Sequence, residues 1–268
     1  MCTGAVGALS HYIERAGVAT ASISLVREQT ERVRPPRALW VPFPLGRPLG
    51  VPGDADFQLD VMRAALGMLG TATEPTIEDY PVDAPTTGPE PWACPLNLAV
   101  DTDDSLRGRL EAEVARLRPW ATETRRTRGR TSFGLSGARP DDVDAVVAAL
   151  ATAAETGDTL AEPTGGIEWA HEMPFLLRHL AEDLRGYYHE AIAAQPGPTP
   201  PDHDALNDWI FEQTAFGDVL MTLGDHLTGA DPEMNPFAIL VRGLLIPEGR
   251  YRGESNFRGV AGYDDADS

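Results

Sequence analysis

The sequence predicts an α/β fold, in which part of a parallel-sheet domain comes first and a mainly helical region follows. Three observations predict it. A helix, tight turn and strand follow one another over Ala5–Val26; a Pro-rich stretch begins near Thr71; and from Ser105 onward the apolar residues recur at helical spacing. The 268 residues suit one large domain or two small ones.

Leu9, Tyr12, Ile13 and Ala16 repeat at three and four residues, and Gly17 supplies the stop of a first helix. Val18–Val26 is small and β-branched, as an interior strand of a helix-covered sheet requires. Arg27, Arg32, Arg34 and Arg37, with Glu28 and Glu31, then make a polar connection to Pro35-Pro36. Ala38–Phe43 reads as a short strand whose Pro42 sets it at a sheet edge or ends its ladder. Asp54 is placed to cap a helix whose apolar stripe is Phe57, Val61, Ala64, Ala65 and Met68.

Pro75, Pro81, Pro85, Pro89 and Pro91 predict an extended connector, anchored by Trp92 near Cys94. Helical spacing returns with Leu106, Leu110, Val114 and Leu117, and Arg125, Arg126, Arg128 and Arg130 form the most basic segment of the chain, read as a loop. Helices are expected over Asp141–Glu155, Phe175–Ala193 and Ala205–Leu227, with a further apolar segment over Phe237–Ile246. The expected organisation is a partial α/β domain over 1–70, a connector over 71–98, a helical region over 99–248 and a flexible tail over 249–268.

Composition narrows the chemistry. Forty-one acidic side chains against 22 basic ones give a net charge of -19, which disfavours general nucleic-acid binding. Every basic residue is Arg, so a Lys Schiff base and the Lys of a phosphate-binding loop are excluded within this chain. Two Cys residues are too few for a disulfide scaffold. With no run of about 18 apolar residues and no charged leader ahead of an apolar core, a cytoplasmic protein without membrane contact is expected.

No Gly-rich dinucleotide fingerprint follows a strand, so no cofactor is expected. His171, Glu172, His179, His189, Glu190, Glu212 and His226 fall on or near helices without a recognisable ligand spacing, and no metal is expected either. Cys2 remains. A thiol at the first turn of a helix gains thiolate character from the free N–H groups and the dipole there.

The run Ile13-Glu14-Arg15-Ala16-Gly17-Val18, then Ser22-Ile23-Ser24-Leu25-Val26, and above all Arg34-Pro35-Pro36-Arg37-Ala38-Leu39-Trp40-Val41-Pro42-Phe43-Pro44-Leu45-Gly46-Arg47-Pro48-Leu49-Gly50, resembles the carboxyl-terminal part of the selenoprotein B family of glycine, sarcosine and betaine reductases. The proline reductase subunit is similar more distantly. The resemblance covers about residues 2–70. It implies that the first unit is the C-terminal part of a parallel-sheet redox domain.

In that family a Sec-x-x-Cys or Cys-x-x-Cys pair precedes the helix that ends in Ile-Glu-Arg-Ala-Gly. On this spacing Cys2 resembles the second, resolving member, and the first would fall upstream of Met1. The resemblance implies attack of a selenolate or thiolate on the α-carbon of a bound amine, reductive loss of the amino group, and transfer of the carbon fragment to a partner selenoprotein. It further implies that a pyruvoyl-bearing companion subunit forms the iminium.

The expected function is thus thiol-dependent reductive cleavage of a small amine or related compound. Cys2 is the redox residue, and Arg34, Arg37 and Arg47 are candidates to orient an anionic group of the substrate. Partners would be a small anionic amine and companion reductase subunits or a second copy. A non-catalytic interaction or regulatory module derived from the same family stands as the alternative, as does a separate site in the helical half.

Overall fold

The chain divides into two compact units, Met1–Gly88 and Pro89–Ser268. The computed structural model describes residues 2–84, 94, 105–195, 201, 203–247 and 250–251, with only the main chain of Cys2, Thr3 and His203. The expected connector anchor at Trp92 and most of the tail lie outside the described residues.

The first unit runs α1 (Cys2–Arg15), β1 (Ser22–Ser24), α2 (Arg27–Val33), β2 (Arg37–Trp40), α3 (Ala55–Thr71) and β3 (Thr76–Asp79). Its three strands are parallel in the order β1-β2-β3, with Ile23 opposite Leu39 and Leu39 opposite Glu78. The α/β class read from the sequence is therefore present, and a mainly helical region follows it.

Within that class several elements differ from expectation. β1 is shorter than Val18–Val26, because Glu14 accepts both the N–H and the hydroxyl of Thr20 (2.8 and 2.9 Å) and holds the approach in a side-chain-bonded turn. The polar connection after β1 contains a helix, α2, whose one buried residue is Thr30. Thr30 shares a 2.5 Å hydrogen bond with Ser24 and donates to the Val26 carbonyl, so α2 is fastened by hydroxyls rather than by an apolar stripe. β2 is the central strand, not an edge. Pro42 stands just beyond it, after the Val41 N–H has donated to Ser24, so the missing N–H falls where the ladder has ended. β3 lies inside the stretch expected to be a connector, where Pro75 and Pro81 flank a four-residue strand.

Asp54 caps α3 through the Phe57 N–H, as its position predicted. Val61, Ala65 and Met68 pack with Leu39, Val41 and Phe43 into the core of this unit. Phe43, Phe57 and Tyr80 close it as a ring of tilted and edge contacts with centroids 5.6–6.1 Å apart. The opposite side of α3 is also apolar: Leu59, Met62, Leu66 and Leu69 are exposed.

The second unit contains α4 (Leu106–Arg128), α5 (Val143–Thr156), α6 (Phe175–Ala193), α7 (His203–Gln213), α8 (Ala215–Thr228) and α9 (Ala238–Leu245). α4 starts on the cap of Ser105 and ends at Gly129 with φ 64, so Arg125, Arg126 and Arg128 belong to its last turn rather than to a loop. Cations there complement the helix dipole. The expected single helix Ala205–Leu227 is two. Thr214 is the N-cap of α8, and a Cβ on Gly217 would lie 2.2 Å from the Ile210 carbonyl oxygen. Only a glycine lets the chain fold back that tightly.

The core of this unit takes one face from each helix, with Leu110 and Val114 of α4, Leu180 and Tyr188 of α6, and Phe216 and Leu220 of α8 all buried. Tyr251, in the stretch expected to be a loose tail, is buried as well. It donates to Asp225 at 2.7 Å, and its ring lies beneath the Arg242 guanidinium. Among the described residues no helix is long and apolar enough to cross a membrane.

Candidate functional site

Open α/β sheets bind ligands outside the carboxyl ends of their strands, where helix starts and loops converge. In the first unit β1 feeds α2, and β3 ends at Asp79. Two glycines bring α1 against α2: a Cβ on Gly4 would lie 2.9 Å from the Gln29 side chain, and one on Gly7 would lie 2.7 Å from Val33. The two helices therefore advance side by side in the same direction. At its far end α1 meets the start of β2, where Glu14 accepts from Arg37.

From Glu14 back to Cys2 the helix spans about 18 Å, against about 13 Å for the four residues of β2. The first turn of α1, which Cys2 opens, thus stands at the carboxyl end of the sheet. The side chain of Cys2 lies outside the described residues.

The same end carries Arg27, read in the sequence as part of the polar connection, and two partners that sequence reasoning missed. Arg27, the first residue of α2, lies side-on to Asp79 at the end of β3, with Nε–Oδ1 3.2 Å and Nη2–Oδ2 3.3 Å. It also pairs with Glu31. Its guanidinium stands 6.0 Å from the Trp40 ring at the end of β2. A cation that follows β1, an aromatic face that ends β2 and a carboxylate that ends β3 thus meet at the carboxyl end of the sheet, with the cation and the carboxylate paired to each other. The pair is half-exposed, so water and solutes reach it.

The three arginines singled out in the sequence do not come together. Arg47 is exposed in the turn that follows β2, on the carboxyl side. Arg34 and Arg37 stand at the opposite, amino end of β2. Arg34 is exposed and caps α2 with φ 48. Arg37 is committed internally, donating to Glu14 and to the carbonyls of Thr20 and Ala72. The Thr20 main-chain N–H, helped by its hydroxyl and by Arg37, holds the Glu14 carboxyl below the ordinary carboxylate range. A cleft of about 310 Å³ adjoins this pair, lined by His11, Arg15 and Glu74 among others, with two arginines balanced by two glutamates.

Several of the histidines and carboxylates singled out in the helical unit are engaged one by one. His226 bonds the Ala154 carbonyl, and His179 bonds the Phe175 carbonyl and stacks on His171 with centroids 3.6 Å apart. Glu190 accepts from Arg125, Thr131 and Ser132. Glu212 lies beside Arg250, whose main partner is Asp208. Among the described residues no three His, Cys, Asp or Glu converge as a metal site would need. Cys94 is half-buried and packs against the helical core.

The chain matches no family model, no curated protein and no solved structure.

Proposed function

We propose that the first unit performs thiol-dependent reductive cleavage of a small amine, with Cys2 as the resolving thiol. The observation that carries this reading is the position of the first turn of α1, at the carboxyl end of a parallel sheet, the end that also carries the Arg27–Asp79 pair. Helix-start N–H groups favour a thiolate at Cys2. In this reading a companion chalcogenolate displaces the amino group from the α-carbon and the free amine leaves. When that chalcogen is next held in a mixed dichalcogenide, the Cys2 thiolate attacks it and a new S–S or S–Se bond forms. The other chalcogenolate leaves with the electron pair of the broken bond, and an external dithiol returns the pair to the reduced state.

Arg27 and Arg47 face the substrate carboxylate in this reading, while Asp79 and the ring of Trp40 face its ammonium group. Arg34 and Arg37 serve the fold at the other end of the sheet. The imine is formed on a companion subunit, since this chain has no Lys.

Alkylation of the full chain across pH tests the proposal, with glutathione as the ordinary thiol for comparison. Cys2 should be modified at a pH well below the ~8.5 at which an ordinary thiol ionises, and its labelling should rise after reduction. If Cys2 titrates alongside an ordinary thiol and reduction changes nothing, the redox role is wrong.

A further inference from the structure

At one end of the helical unit α5 and α8 finish and α6 and α9 begin. His226 of α8 bonds the Ala154 carbonyl of α5 at 2.8 Å, the buried side chains of Thr159 and Asn235 join the two following loops, and Phe175 packs on Phe237 with centroids 5.1 Å apart. Loops 157–174 and 229–237 thus form one surface. It carries six exposed carboxylates, Asp158, Glu162, Glu168, Glu172, Asp231 and Glu233, and no arginine in either loop.

Elsewhere acids of this unit are neutralised by arginines, as Asp218 is by Arg109 and Asp144 by Arg118. Glu168, Glu172 and Glu233 have no such partner among the described residues. Between these charges stand Leu160, Met234 and Phe237, exposed at 37%, 71% and 45%.

We infer that this end of the bundle is a docking surface for a partner protein, and that what docks is a basic helical segment with apolar anchors. Charge complementarity selects the occupant. Unpaired carboxylates attract Lys and Arg, repel anionic lipid, and repel the same surface of a second copy. The apolar residues select an amphipathic segment over a merely basic one: Met234 adapts to the shape of an anchor, and Phe237 offers it a ring face. The inference is independent of the redox reading of the first unit.

The test uses the full chain and an acetylated peptide of about 18 residues, Lys and Leu at amphipathic helical spacing, followed by fluorescence anisotropy. Its controls are a peptide of the same composition in scrambled order, and the chain variants below.

Met234→Ser/Phe237→Ser should weaken binding about tenfold or more, and Glu168→Gln/Glu172→Gln/Glu233→Gln should do the same. Glu28→Gln/Asp56→Asn/Glu74→Gln removes equal charge from the first unit and should change it less than about twofold. Equal losses in both charge variants, or equal binding of the scrambled peptide, would make the attraction a diffuse effect of net charge and overturn the inference. So would absence of binding to the wild type, or self-association of the chain that Met234→Ser/Phe237→Ser abolishes.

Discussion

Asp183 is fully buried and pairs with no arginine among the described residues, yet its carboxylate is satisfied. It accepts the N–H groups of Gly134, Leu135 and Ser136 at 2.8, 2.7 and 3.0 Å and the Ser136 hydroxyl at 2.6 Å. Seven residues on, Glu190 takes the Ser132 N–H and the Thr131 hydroxyl. One face of α6 thereby holds the loop after α4 by its main chain. Asp183→Asn keeps the shape but turns an N–H₂ toward donors that need an acceptor. It should cost about 3 kcal/mol in urea unfolding; a loss within about 0.5 kcal/mol would mean that the loop is held by other contacts. This arrangement is hidden in the sequence, where Asp183 is one acid among 41 and its partners lie 47–49 positions away. The candidate site was half legible for the same reason. A thiol at a helix start can be read locally, whereas the Arg27–Asp79 pair spans 52 residues and ends in a strand that flanking prolines disguised.

At the scale of the elements, Glu113 of α4 decides where α8 begins. It accepts the Ala215 N–H at 2.7 Å and, more weakly, the Phe216 N–H at 3.4 Å, and receives the Tyr188 hydroxyl of α6 at 2.7 Å. A carboxylate at the start of α8 satisfies N–H groups that the helix leaves open. Helical periodicity runs through Thr214 without a break, so the boundary was invisible locally; α6, whose ends depend on its own sequence, was read over its full length. Burial raises the Glu113 carboxyl above its ordinary 4.5, although the N–H donors, Tyr188 and Arg109 oppose the shift. Burial and the Glu113 charge push the Tyr188 hydroxyl well above its ordinary value, which keeps it a donor. With its folded value above the unfolded one, Glu113 binds its proton more tightly in the native state. Its contribution to stability is full below the unfolded value and is lost as pH rises through the folded one. Glu113→Gln removes that loss while keeping an oxygen for Ala215. Urea titrations from pH 4 upward, a range of about that start, should show the variant gaining on the wild type as pH rises; a constant or shrinking difference would exclude the assignment.

The two units differ most in what holds them. The first buries a cluster of six apolar side chains under three short strands and keeps both outer strands unpaired among the described residues. The second draws its cluster from six helices and includes large rings such as Tyr187, Tyr188 and Phe216. Since burial scales roughly with apolar area removed from water, the smaller core should give way at lower denaturant, and the whole chain should unfold in two steps rather than one. Two substitutions assign the steps. Met68→Ala empties part of the first core and Leu180→Ala part of the second, each at a cost of about 2–5 kcal/mol. Far-UV circular dichroism follows the helices of both units and is weighted to the second, and fluorescence of Trp40 follows the sheet once Trp92, Trp120, Trp169 and Trp209 are replaced by Phe. Met68→Ala should move the early transition alone and Leu180→Ala the late one alone. A single transition that both substitutions shift equally would mean that the units fold as one body, and the boundary at Gly88 would then mark a change of architecture without a change of cooperativity.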